Sequence, residues 1–329
     1  MPKLTAQDIW NLNETELLNL LETDTFKPIS NTIHFYAPSF TYYKTKHYQS
    51  NTTAFPTISI TADKCALNCK HCGAKVLQTM HPATTPQTLF NLATKLKQSG
   101  AKGILISGGC TPNGAVPLDK FTPTIAKIKR ELNLTIFVHT GIINAQTANA
   151  LKQAQIDAAL IDILASPTTI QNIYNLNATP QNYTDALHAL QNANLTTIPH
   201  IIVGLNNGKL DAEQTALQTL TQTKPAAIVI IAFMPIPNTQ MAKTPPPTAT
   251  DIAKVTATAR HLFPTTPIAL GCMRPKGNNR NQTDILALKA GADAIAFPTT
   301  ATIEHAKQSG YKIAFSSFCC AQICLDTHQ

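Results

Sequence analysis

The sequence predicts an α/β fold: a (β/α)8 TIM-type barrel with an N-terminal helical and irregular extension and a C-terminal cysteine-containing tail. Three observations predict it. From about residue 56 onward, short apolar runs alternate with helical segments. The runs are apolar almost throughout, as parallel strands covered on both faces are. The chemically unusual residues follow directly after the runs, at the carboxyl ends of the strands, where a barrel gathers its functional groups.

The elements follow in chain order. Residues 5–24 read as a helix, with Thr5 as its cap, Asp8 at the third helical position, and a partial apolar stripe of Ile9, Leu12, Leu17, Leu18 and Leu21. Residues 25–54 are rich in aromatic and polar side chains and read as an irregular layer. Strands are expected at 57–61, 103–107, 135–139, 158–163, 197–203, 227–233, 267–271 and 294–297. Helices are expected between them at 85–98, 118–132, 145–155, 184–193, 212–221 and 248–262. The expected organisation is an extension over 1–54, the barrel over 55–310, and a tail over 311–329 that closes the barrel rim.

Bulk properties narrow the function. The chain has 329 residues, 43% of them hydrophobic, enough for a substantial core. It holds no apolar run of about 18 residues, the length of a membrane span. Its start lacks the apolar stretch of a secretory signal, so a cytoplasmic location is expected. Lys and Arg number 26 against 18 Asp and Glu, a formal charge of +8. No basic block of about five residues occurs, so neither nucleic acid nor membrane is an expected partner. Eight cysteines in such a chain point to metal or redox chemistry rather than a disulfide scaffold.

The cysteines carry the strongest signal. Cys65, Cys69 and Cys72 lie in the loop Cys65-Ala66-Leu67-Asn68-Cys69-Lys70-His71-Cys72, directly after the first expected strand. Three thiolates hold three corners of a cubane iron–sulfur cluster and leave one iron open to a small molecule. A structural zinc site is the alternative, but it calls for four closed ligands. Ser107-Gly108-Gly109-Cys110 ends the second strand, where glycines let backbone approach a ligand; a simple tight turn is the other reading. Asp162 sits in an otherwise apolar strand, so it must be paired or hydrogen-bonded, by a ligand or by a structural partner. His139, His200 and Gly204 fall at or near strand ends. Arg274 stands beside Cys272 and suits a carboxylate, or a salt bridge. Cys110 and Cys272 lie on rim loops, and the tail carries Cys319, Cys320 and Cys324. A tail folded over the rim lets Cys110, Cys272, Cys320 and Cys319 form a second cluster site, with Cys324 the least favoured ligand.

The Cys65–Cys72 spacing resembles that of radical S-adenosylmethionine (SAM) enzymes. That resemblance implies that the first cluster binds SAM. It places His71 near the adenine, although many relatives have an aromatic residue there. It gives Gly108 and Gly109 to the SAM amino group, with Cys110 where relatives carry a glutamate. Asp162 would meet the ribose, and Arg274 the SAM carboxylate. Segments 35–40, 65–72, 106–112 and 271–277 further resemble one subunit of the archaeal-type two-component lipoyl synthases, a biotin-synthase-like family, over about residues 31–322. This implies sulfur insertion into a protein-bound octanoyl chain, two 4Fe–4S clusters (one binding SAM, one auxiliary and sacrificed as sulfur donor), and three partners. These are an octanoylated lipoyl carrier domain or peptide, a second radical SAM subunit, and an electron donor such as ferredoxin. No cysteine precedes Cys65, unlike in single-chain lipoyl synthases. The alternatives are sulfur insertion into a free small molecule, a radical SAM enzyme whose second cluster survives turnover, and a non-catalytic metal-binding protein.

Overall fold

The computed structural model describes residues 4–23, 25–277 and 279–327. Among them, eleven strands form a single parallel sheet. They are β1 (Thr32–Tyr36), β2 (Thr57–Ser59), β3 (His81–Pro82), β4 (Gly103–Ser107), β5 (Thr135–His139), β6 (Ala158–Asp162), β7 (Thr197–Val203), β8 (Ile228–Ala232), β9 (Ile268–Leu270), β10 (Ala294–Ala296) and β11 (Lys312–Ser316). Their order across the sheet is β11-β1-β10-β9-β8-β7-β6-β5-β4-β2-β3. The eight expected strands are thus neighbours in chain order, as a TIM-type barrel requires.

Three strands extend that frame: the two-residue β3, which pairs with β2, and the longer β1 and β11. Residues 25–54 were expected to be irregular, but they contain β1, which pairs with β10 on one side and β11 on the other. Ile33 and Phe35 alternate with His34 and Tyr36, a strand period hidden by the aromatic and polar flanks. The tail supplies β11 before turning inward. Between the two edges of the sheet lies segment 37–55. Phe55 N donates to Ser39 Oγ (2.8 Å), Asn51 N to Ser317 Oγ (2.7 Å) and Lys102 N to Ala54 O (2.9 Å), which ties the β2 side to the β11 side.

The helices are α1 (Ala6–Asn11), α2 (Glu14–Leu21), α3 (Pro86–Gln98), α4 (Thr122–Leu132), α5 (Ala145–Gln153), α6 (Pro167–Asn172), α7 (Pro180–Asn192), α8 (Glu213–Leu220), α9 (Ala249–Leu262), α10 (Arg280–Lys289), α11 (Thr300–Gln308) and α12 (Ile323–Asp326). The single helix expected over 5–24 is two. Thr5 caps the first with Asp8, as read from sequence, but Asn13 starts a second capping box with Glu16 and breaks the run. α7 starts four residues before the expected 184, because Thr179 caps it and Pro180 occupies its first position.

The sheet has two apolar faces. Outward residues such as Ile104, Ile106, Ile136, Val138, Ile228 and Ile230 pack beneath the helices. Inward residues form a separate cluster: Leu105, Phe137, Leu160, Ile198 and Val229, with Ala158, Ala227, Ala269, Ala294 and Ala296. The alanines make room for the tail. After β11, Phe318 packs on Phe55 (5.7 Å between centroids), and Cys320, Ala321, Ile323 and Cys324 are buried in the inner cluster. The tail runs down the interior until Asp326 accepts from Tyr36 OH at 2.5 Å.

Candidate functional site

The cysteine loop leaves β2 and is clamped on both sides. On the β4 side, Gly109 N donates to Thr61 Oγ1 (2.7 Å), Ala66 N to Cys110 O (2.9 Å) and Cys110 N to Cys65 Sγ (3.3 Å). On the far side, Lys70 N donates to Ile173 O (2.8 Å), and Asn175 Nδ2 donates to Asn68 O (2.8 Å) and lies 3.3 Å from Leu67 O. Gly109 is required by closeness: a Cβ there would lie 2.1 Å from Lys64 O and 2.6 Å from Cys65 Cβ. It lets the loop press onto the end of β4. Tyr174 and Asn175 escaped the sequence reading because they lie about a hundred residues away, in a turn with no motif of its own.

Within the loop, the donor atoms of Cys69, His71 and Cys72 lie within 4.8 Å of one another. Cys65 is near enough for its charge to act on Cys69. Its thiol is lowered to about 6, chiefly by the hydrogen bond with the Cys110 thiol, with further help from backbone N–H groups of Leu67, Cys110 and Asn68. Cys72 is held low by hydrogen bonds from Cys69 and His71, and Cys69 is correspondingly pushed up. Thiolates are the ligating form, and N–H groups aimed at sulfur are what iron–sulfur sites use to tune a cluster. The donor set therefore fits a cubane on Cys65, Cys69 and Cys72. His71 packs beside Tyr174 (5.0 Å, 34°), and its Nδ1 is buried without a hydrogen-bond partner, a vacancy a bound group can fill.

Beneath the loop, inward side chains of three adjacent strands form a polar layer. Asp162 pairs in register with His200, and the His139 and His200 rings are 5.3 Å apart. Burial raises the Asp162 carboxyl, opposed by His139, His71 and a hydrogen bond with Tyr174. Burial, then His139, lowers His200 to about 3, and its Nδ1 lies 3.2 Å from Ile198 O. Burial also lowers His139. Both imidazoles are therefore neutral at pH 7. The structure brings the expected Asp162, His139, His200 and His71 to one end of the barrel interior.

Other expected ligands are occupied by structural work. Gly204 has φ +71, its N–H goes to Glu213 Oε1 (2.8 Å), and a Cβ would strike Pro247 at 2.6 Å. It shapes the turn after β7. Gly108 is close-packed against Ile60 and Thr61. Arg274 is 0% exposed, with Nε and Nη2 on Asp284 Oδ1 (2.9 and 2.8 Å) and Nη1 on Gly271 O (2.7 Å). Its charge is committed to Asp284 on α10, a partner ten residues away that sequence inspection passed over.

The second cysteine set also differs from expectation. Cys110 does not join Cys272, Cys320 and Cys319; it hydrogen-bonds Cys65 and feels Asp162 and Cys72. Its place after β4 puts it beside the first loop. Cys272 and Cys320 do meet, thiol to thiol, with Cys319 hydrogen-bonded to Cys320. The Cys272 thiol is raised by the Cys320 bond and by burial. Cys320 is lowered by its bond with Cys272, but Cys319 and burial outweigh this and leave it raised. Cys324 sits deeper, pushed up to about 12 by burial and Asp326. Among the described residues, no helix is long and apolar enough to cross a membrane.

Comparison with known proteins agrees with this geometry. Residues 59–217 match the radical SAM superfamily. Biotin synthase from Buchnera aphidicola subsp. Acyrthosiphon pisum is 25% identical over 297 residues, 88% of this chain and 82% of the relative. Biotin synthase from Desulforudis audaxviator is 25% identical over 247 residues, 72% and 73% of the two chains. In fold, the chain is similar to HydG, a maturase of the [FeFe]-hydrogenase (TM-score 0.65, 15% identity, 99% of this chain and 74% of HydG). It is also similar to methylornithine synthase, PylB (TM-score 0.62, 15% identity, 95% and 94%). Residues 59–217 thus resemble a radical SAM domain, and the chain as a whole has the fold of a TIM-type barrel.

Proposed function

We propose that this radical SAM protein inserts sulfur into a protein-bound octanoyl chain, one of the two thiolations that form the lipoyl group. The observation that carries the reading is the second thiol group, Cys272 and Cys319 packed with the buried Cys320 against the inner cluster of the same barrel as the Cys65 loop. A domain needing only SAM cleavage has no use for it. Cys65, Cys69 and Cys72 hold the SAM-binding cluster, and Cys272, Cys320 and Cys319 hold the auxiliary one. Bound together, these groups supply an electron for SAM cleavage, a carbon radical, and sulfur.

The chain's own residues shelter and orient. The inner apolar cluster keeps water from the reacting carbon, which a radical of this reactivity requires. Neutral His139 and His200 with Asp162 offer hydrogen bonds without a fixed positive charge. His71, braced by Tyr174, presents a ring face and a free nitrogen beside the loop. The octanoylated carrier domain, a second radical SAM subunit and a ferredoxin-type donor are the partners this reading calls for. The decisive test is iron and sulfide content, with Mössbauer spectra, of an anaerobically reconstituted Cys65/Cys69/Cys72 triple-alanine variant. About four irons retained as a cubane support a second cluster; no retained iron overturns the reading.

The biotin synthase relatives favour a second reading, sulfur insertion into a free small molecule by the same two sites. Offering an octanoylated carrier domain and dethiobiotin side by side separates the two.

A further inference from the structure

Away from the cysteine loop, the segments after β1, β9 and β10 border an open cavity of about 310 Å³. Its walls include Tyr42, Tyr43, Phe297 and Pro298, and its charged lining residues are Lys276 and Arg280. Tyr42 is 61% exposed, the one exposed large hydrophobic side chain among the described residues. The cavity falls in the lower range of small-ligand pockets.

Charge is unbalanced there. Two guanidiniums, Arg274 and Arg280, and the Lys276 ammonium act on one another, and a single carboxylate, Asp284, answers them. Asp284 is already spent: Oδ1 holds Arg274, and Oδ2 takes Thr299 N (3.4 Å) and Thr302 Oγ1 (3.5 Å). Arg280 Nε lies 3.9 Å from Oδ2, beyond hydrogen-bond reach, and is buried without a partner. Its Nη2 goes to Phe297 O. Lys276 forms no ion pair among the described residues. α10 begins at Arg280 with no side-chain cap, so its amino end adds partial positive charge. Like charges gathered in a partly desolvated site repel, and an anion relieves them.

We propose that this cavity is an oxyanion site that binds a carboxylate or phosphate head carried on an aromatic or apolar body. Arg280 and Lys276 take the head: guanidinium and ammonium donors form charge-assisted bonds with either group. The rings of Tyr42 and Phe297 cover the body. The site adjoins Cys272, four residues from Lys276 and close enough to act on it, so a molecule held here lies beside the second thiol group. The inference goes beyond the proposed reaction and holds whichever acceptor the barrel thiolates.

The test is calorimetric titration of the full chain at low salt with phenylacetate, phenyl phosphate, benzyl alcohol and inorganic phosphate. Phenylacetate or phenyl phosphate binding at least about tenfold tighter than benzyl alcohol is expected, the scale of one charge-assisted bond; the tighter of the two names the head group. K276E, at an exposed position where folding is unaffected, weakens that binding by about tenfold or more. Y42A weakens the aromatic anions but not inorganic phosphate. Equal binding of benzyl alcohol, or K276E binding like the wild type, overturns the proposal. Inorganic phosphate binding as tightly as phenyl phosphate overturns the apolar half of it.

Discussion

The two thiol groups of this barrel are built in opposite ways. Cys65, Cys69 and Cys72 come from one short loop, where the Cys110 thiol first and then backbone N–H groups draw Cys65 down to about 6. Cys272, Cys319 and Cys320 come from segments almost fifty residues apart and lie against an alanine-lined interior, where hydrogen bonds among the thiols, together with burial, drive Cys272 and Cys320 up. A loop can carry its own donors; a barrel interior whose strand amides are spent on ladders cannot. Two of the first group, Cys65 and Cys72, are thus preset as thiolates, with Cys69 holding the proton between them. In the second, Cys272 and Cys320 stay protonated until something binds them and takes the protons.

Substitutions can break or sharpen this contrast. The largest effect is expected from the pair Cys69→Ala and Cys272→Ala. The first abolishes release of 5′-deoxyadenosine; the second leaves that release intact and stops sulfur insertion, both read by chromatography of a single reaction. Normal product from the Cys272 variant would falsify the assignment of the second group.

Cys110→Ala comes next. It removes the thiol that lowers Cys65, so SAM cleavage slows by about tenfold, the worth of one hydrogen bond. Iron retained in the triple-alanine background is unchanged. Loss of that iron instead would return Cys110 to the second group.

Ala227→Leu targets the tail. The added volume faces the inner cluster and costs about 1–3 kcal/mol by overpacking. Urea midpoints record the loss, and faster proteolysis near residue 320 shows whether the tail has been displaced.

The smallest effect concerns pH. His200 is held at about 3 against 6.5 in the unfolded chain. Below 6.5 the unfolded chain binds a proton that the native state refuses, so stability present above 6.5 is lost as pH falls toward 3. The slope is at most about 1.4 kcal/mol per pH unit. His139 acts in the same direction. His200→Gln should flatten urea midpoints between about pH 7 and pH 5; an unchanged slope would show that His200 does not carry it.

Legibility in the sequence followed the same divide. The eight barrel strands were visible because buried parallel strands are apolar on both faces, and the cysteine loop because its spacing is local. β1 was missed because its alternation spans only five residues between aromatic flanks. The split at Asn13 was missed because an apolar stripe continues past a capping residue. Arg274 was read toward a ligand because nothing local reveals Asp284 as its partner. Cys110 was grouped with the wrong thiols because rim position says which end of a barrel a residue occupies, not which neighbour it meets.

The inward tail also sets a schedule. Residues 312–327 leave the ribosome after the other ten strands, so the interior remains open while the rest of the barrel condenses around it. Once Tyr36 grips Asp326, the space around Cys272 is sealed from below. A cluster at the proposed second site would therefore have a window for entry, which opens when Cys320 is synthesised and narrows as the tail beds down. A chain that folds first would have to release residues 312–327 to admit one.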